Sequence, residues 1–143
     1  MTNETNIVAF VVACVDQRHH VEEAMMIAQL KAVLAVDEVY LGTTAGPDGV
    51  LCAQGCRGEA MLEDATIIKN AKGATVFAVM GHYGCAGHAV ADEQHDADTR
   101  VAAQVMADEL GVPVWPLIFK PGSPGGATWI CEKLADNAVS PSE

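Results

Sequence analysis

A chain of 143 residues is one domain by length and can bury a sizeable core, and half of its residues are hydrophobic. Its formal charge of -11, with only eight Lys and Arg spread along the chain, argues against a nucleic-acid surface, which needs clustered cations. No apolar run approaches the roughly 20 residues of a membrane helix. "MTNETN" also lacks the basic-then-apolar order of a secretory signal. The expectation is therefore a single domain over 1–143, soluble and cytoplasmic, with neither a membrane nor a nucleic-acid partner.

The chain alternates strand-like and helix-like segments. "IVAFVVAC" is a continuous apolar run rich in β-branched residues, and after it Val21, Ala24, Met25 and Ala28 keep the i, i+3, i+4, i+7 spacing of an amphipathic helix. "EVYLGTT" reads as a second strand, followed by the Gly/Pro turn "AGPDG" and a glycine-containing loop, "LCAQGCRG". A helix from about Glu59 to Ala71 carries Met61, Ala65 and Ile68 on one face, and "ATVFAVM" is the third strand.

"HDADTRVAAQVMADELG" starts with Asp residues suited to capping and stops at Gly111, with Pro113 just beyond. "VPVWPLIF" is a fourth strand, which Pro116 assigns to an edge or a bulge. After "KPGSPGG" a last helix is expected, with Ala127, Ile130 and Leu134 inward, and the tail "VSPSE" is expected to fray.

Strict βα alternation implies an α/β fold: a mostly parallel four-stranded sheet, order 2-1-3-4, with helices on both faces. Ligands of such sheets bind beyond the carboxyl ends of the strands, where neighbouring connections diverge to opposite faces. In this order that crevice lies between the first and third strands, which lead into Cys14 and into "GHYGC", residues 81–85. A histidine and a cysteine three apart at a strand end can be metal ligands, a redox couple or turn residues. With Cys14 the set becomes two thiolates and one imidazole, which suits zinc and leaves a fourth position open, as in catalytic sites.

Cys14 opens "CVDQR", and in extended chain Cys14, Asp16 and Arg18 point to one side. By themselves Asp16 and Arg18 are compatible with a surface ion pair. Beside a zinc, Asp16 can accept the hydrogen bond of a bound hydroxide and orient it. Arg18 can hold that carboxylate ionised and away from the metal.

"C-V-D-Q-R" followed by "H-Y-G-C" resembles the zinc signature of the β-class carbonic anhydrases, a Cys-x-Asp-x-Arg motif after the first strand and a His-x-x-Cys motif after the third. "YLGTTAGP", at the place of the family's Ala-Gly pair, and "LEDATIIKNAKGATVFAVMGHYGC" extend the resemblance over about residues 7–120. It implies Zn2+ bound by Cys14, His82 and Cys85, with Asp16 and Arg18 as the catalytic dyad. The implied reaction is reversible hydration of CO2 to bicarbonate by a carbonic-anhydrase-like lyase. A homodimer, or a higher homo-oligomer, with the site near its interface is implied as well.

The chain also departs from the family pattern. Six residues precede "IVAF" where the family carries a long helical arm, Gln17 stands in place of serine and Ala86 in place of glycine. Tyr83 and Gly84 occupy the positions between His and Cys, and the early C-terminus implies that the family's last sheet strand is missing. Relatives of this family hydrolyse carbonyl sulfide or carbon disulfide on the same kind of site, and no residue here separates those substrates from CO2. A non-catalytic zinc module, with Asp16 as fourth ligand, is the reading from another class.

Elsewhere, Cys52 and Cys56 are four apart in a loop and read as loop residues or as a second metal or redox pair. Arg57 is a candidate anion contact, and His88 is a candidate proton shuttle. His19 and His20 open a helix, His95 reads as solvated, and Cys131 reads as core. No G-x-G-x-x-G follows the first strand, which argues against a dinucleotide.

Overall fold

The first strand is the hydrophobic axis of the molecule. In the computed structural model, which describes residues 6–15, 23–122 and 128–143, β1 (Val8–Cys14) is buried along its whole length. It pairs in parallel with β2 (Glu38–Thr44) on one side and β3 (Val76–His82) on the other. Both faces of such a strand are covered, so alternation gives way to an unbroken apolar run. On one face Phe10, Val12, Phe77 and Val79 pack with Met61 and Ala65 of α3 (Cys56–Lys72) and with Ala102, Ala103 and Met106 of α4 (Asp92–Leu110). On the other, Val11, Ala13, Ala78 and Met80 meet Met26, Leu30 and Leu34 of α1 (Glu23–Leu34).

The order 2-1-3-4 holds, and a fifth strand extends it to β2-β1-β3-β4-β5. β4 (Trp115–Pro121) runs parallel to β3, and β5 (Trp129–Lys133) returns antiparallel to β4. The expected last helix, with Ala127, Ile130 and Leu134 inward, is thus replaced by β5 where the chain is described, and Ala127 lies outside the described residues. "WICEK" is too short for a stable helix and rich in aromatic and β-branched side chains, which suit a pleated surface. Gly122 N–H donates to Thr128 O at 2.7 Å, closing the hairpin, and the Phe119 and Trp129 rings lie 5.6 Å apart.

β5 also makes β4 an internal strand, against the expectation raised by Pro116. The missing proline N–H is tolerated because Pro116 stands where the antiparallel ladder begins. Leu134 N–H donates to Pro116 O at 2.8 Å, while Leu134 O accepts from Arg100 Nε and Nη2, both at 3.3 Å. A side chain therefore fills the donor position that proline vacates.

Five further expectations change. In α1 the inward stripe is Met26, Leu30 and Leu34, while Met25 is 56 % exposed; the two large leucines, one turn apart, decide the rotation of the helix. "GPDG" opens α2 (Pro47–Ala53), with Pro47 at its start, where a missing N–H costs nothing. α3 accordingly begins at Cys56, and α4 begins at Asp92 with no side-chain cap, its Asp residues lying inside the first turns. The tail is tied down: Val139 and Val114 exchange two backbone hydrogen bonds, and Ser142 N–H donates to Asp108 at 2.7 Å. That contact and Gln104 hold the Asp108 carboxyl below its ordinary range. Among the described residues no helix is long and apolar enough to cross a membrane.

Candidate metal centre

The parallel strands end together, and two of them deliver side chains to one point. Cys14 closes β1 and His82 closes β3. The chain then turns at Gly84, with φ of +70°, a conformation that suits glycine, and brings Cys85 back toward both. Cys14, His82 and Cys85 are all buried, with ligand atoms within 4.8 Å of one another. The two Sγ atoms are 3.8 Å apart, too far for a disulfide bond.

This arrangement fits a tetrahedral zinc. With Zn–S bonds of about 2.3 Å, two sulfurs of a tetrahedron lie about 3.8 Å apart. His82 Nδ1 lies 2.9 Å from Tyr83 O, and a carbonyl only accepts. Nδ1 therefore carries the proton and the neutral ring presents its lone pair at Nε2. Backbone N–H groups of Gly87 and His88 donate to Cys85, a pocket of donors suited to a thiolate. Without a cation, burial and the neighbouring Cys14 push the Cys85 thiol up to about 11.

The loop is braced from outside. Tyr83 Oη donates to both carboxylate oxygens of Asp96, at 3.0 and 3.2 Å, and burial with Asp96 pushes the phenol up to about 12. Arg57, the candidate anion contact, instead donates to Thr44 Oγ1 at 2.6 Å and to Ala45 O, and so steadies the end of β2. Just beyond, Gly46 and Gly87 touch backbone to backbone: a Cβ on Gly46 would lie 2.8 Å from the Gly87 carbonyl. The Ala-Gly pair noted in the sequence is therefore the seat of the cysteine loop.

Asp16, Arg18, His19 and His20 lie outside the described residues. His88 pairs with Asp98, Nε2 to Oδ2 at 2.6 Å. Burial by itself would raise the Asp98 carboxyl, but hydrogen bonds from His88 and Gln94 hold it below its ordinary range. His95, expected in solvent, is fully buried with Nδ1 2.7 Å from Asp48 Oδ2. The signal was present, since His95, Thr99, Ala102 and Met106 form one helical stripe with the rest of the inward face of α4. Asp48 was missed because "AGPDG" reads as a turn.

Cys52 and Cys56 belong to no metal-capable group among the described residues. Cys52 Sγ donates to Asp98 O at 3.2 Å, Cys131 is core as expected, and Cys56 is exposed. Burial pushes Cys52 from 9.0 to about 11, which cuts its thiolate fraction about 100-fold, and it pushes Cys131 to about 12. In the reduced, metal-free protein, iodoacetamide at mildly alkaline pH is expected to modify Cys56 at least about tenfold faster than Cys52, Cys85 or Cys131. Peptide mapping over time checks this; earlier labelling of Cys52 would contradict the assigned burial.

A mostly parallel sheet whose strand ends gather a buried Cys–His–Cys group defines an α/β protein with a candidate metal centre at its switch point. Residues 4–115 match the family model described as "Putative carbonic anhydrase", and the chain belongs to that family. No curated protein matches the chain.

Proposed function

We propose that this protein binds zinc through Cys14, His82 and Cys85 and catalyses the reversible hydration of CO2 to bicarbonate. The observation that carries the reading is the pair of buried sulfurs 3.8 Å apart beside His82, in a chain of the carbonic anhydrase family. Zinc at such a site supplies hydroxide near neutral pH.

The protein's own residues do the rest. His82, fixed by the Tyr83 carbonyl, presents one nitrogen in one orientation. Asp16 accepts a hydrogen bond from the attacking water and directs its lone pair toward the carbon. Arg18 keeps Asp16 ionised and away from the ligand set. The protein acts as a homodimer in this reading; the outward apolar side chains of Val15 and Met25, each 56 % exposed, are compatible with a covering partner.

Stopped-flow CO2 hydration on zinc-loaded protein, with zinc measured on the same sample, tests the proposal. Fast hydration at one zinc per Cys–His–Cys site supports it. Full occupancy of that site without hydration removes CO2 as substrate and makes carbonyl sulfide and carbon disulfide the next to assay. Asp16→Ala is expected to keep its zinc and lose turnover by about 10–100-fold, the usual effect of removing a group that orients a metal's ligands. A normal rate in that variant would overturn the role of Asp16.

A further inference from the structure

A second group of metal-capable side chains lies beside the cysteine loop, on the sheet face covered by α2 and α4. Asp48 comes from α2, His95 from α4, and His88 from the loop after Cys85. Ligand atoms of Asp48, His88 and His95 lie within 4.8 Å of one another. Asp98 of α4 braces His88 through the 2.6 Å contact between its Oδ2 and His88 Nε2. Asp48 Oδ2 lies 2.7 Å from His95 Nδ1 and 4.0 Å from His88 Nε2.

Asp48 and His95 are both fully buried. A buried carboxylate is costly unless it is paired and its remaining lone pairs are satisfied. Yet Asp48 Oδ1, His95 Nε2 and Thr99 Oγ1 are buried with no hydrogen-bond partner among the described residues. The ionic partners of Asp48 and Asp98 among the described residues are imidazoles, not Lys or Arg. Asp48 therefore has no Lys or Arg countercharge among the described residues, and a divalent cation would supply one.

The backbone makes room for the cluster. A Cβ on Gly81 would lie 2.4 Å from Thr99 Oγ1 and 3.5 Å from Asp48 Cγ, and one on Gly49 would lie 2.5 Å from His88 Nδ1. There is also a way in. The His88 side chain is 24 % exposed and lines an open depression of about 390 Å³ together with Gly87, Arg57 and Val50.

We propose that Asp48, His88 and His95 form a second metal site, an imidazole–carboxylate site for a divalent first-row transition cation, with Asp98 orienting His88 from outside the ligand set. Bonds of about 2.1 Å place neighbouring donors roughly 3.0–3.4 Å apart, and the observed separations of 2.7 and 4.0 Å from Asp48 Oδ2 to His95 and His88 bracket that range. Small side-chain shifts exchange the short contact between Asp48 and His95 for metal bonds. Two imidazoles and a carboxylate favour manganese, iron, cobalt or zinc, and the site differs in kind from the sulfur-rich group at the strand ends. The inference does not rest on the reading of that sulfur-rich group.

Titration of the reduced, metal-free full chain with Co2+ tests it, because cobalt bound by thiolate shows sulfur-to-metal charge-transfer absorption and cobalt bound by nitrogen and oxygen does not. Two equivalents are expected to bind, only one of them adding charge-transfer intensity. The double variant Cys14→Ser, Cys85→Ser is expected to keep one equivalent without that band. His88→Ala and Asp48→Asn, made in the wild-type chain, are each expected to weaken the sulfur-free equivalent more than about tenfold. The partly exposed His88 position serves if the buried Asp48 change unfolds the chain, as read by circular dichroism. Binding in the wild-type protein that ends at one equivalent carrying the charge-transfer band, or a sulfur-free equivalent unaltered in folded His88→Ala, would overturn the site and leave a hydrogen-bonded polar cluster.

Discussion

Cys85→Ser is expected to abolish stable zinc binding at the strand-end site while leaving the fold intact. Serine matches the shape of the buried side chain, but its hydroxyl stays protonated and makes a poor zinc ligand. Loss of an outer partner of a ligand commonly costs about 10–100-fold in metal affinity, so loss of the ligand itself should weaken zinc by more than about 100-fold. Competition with a chromophoric chelator reads this directly. Cys56→Ser is the matched control, because Cys56 is exposed and outside the group.

The same variant changes the pH dependence. In the metal-free protein the Cys85 thiol sits at about 11, raised by burial and by Cys14. It is therefore protonated at neutral pH and must release its proton when the metal binds. The loaded form holds fewer protons, so wild-type affinity rises with pH below about 11, by about tenfold per unit from this group. The serine variant should lack that contribution. Unchanged zinc affinity in Cys85→Ser would remove the thiol from the ligand set.

Gly46→Ala is expected to destabilise the protein strongly, because backbone strain and a clash coincide there. Gly46 is left-handed, with φ of +63°, and a Cβ there would lie 2.8 Å from the backbone carbon and oxygen of Gly87 and 2.9 Å from His88 Cβ. Left-handed backbone costs a non-glycine residue about 1–2 kcal/mol. Overpacking against backbone, which cannot rotate away, adds about 1–3 kcal/mol. A loss of about 2–5 kcal/mol is expected in denaturant unfolding.

Gly73→Ala separates the two causes, since Gly73 has φ of +67° and nothing within 4 Å of its notional Cβ. It should lose about 1–2 kcal/mol from backbone strain alone. Gly46→Ala should also weaken metal binding at the strand ends, because relief of the clash displaces the loop that carries Cys85. Equal losses in the two variants would show that the contact between Gly46 and Gly87 does not constrain the loop.

Where the sequence misled, the competing physical effect can be named in each case. Trp129, Ile130 and Cys131 have no helix-breaking residue among them, and both the helix and the strand periods accommodate so short an apolar run. The partner strand decided, through the hairpin that Gly122 and Thr128 close. Pro116 pointed to an edge because proline removes a ladder donor, and nothing local announces that Arg100, 16 residues earlier in the sequence, occupies the carbonyl it leaves open. Met25 and Met26 are adjacent and equally apolar, so the rotation of α1 depends on which one the sheet receives.

The amino-acid sequence by itself determined the parallel order of the first four strands, because uninterrupted apolar runs separated by helical segments have few other ways to bury both faces. It also placed Cys14 and His82 at the ends of neighbouring strands, since strand length and order are local and topological properties. Tertiary structure decided the rest. Asp48 and His95, 47 positions apart, become a buried pair only because α2 and α4 pack on the same face beneath Gly81. No period or motif encodes that meeting; it arises from side chains on separate helices that share one space and exclude water from it.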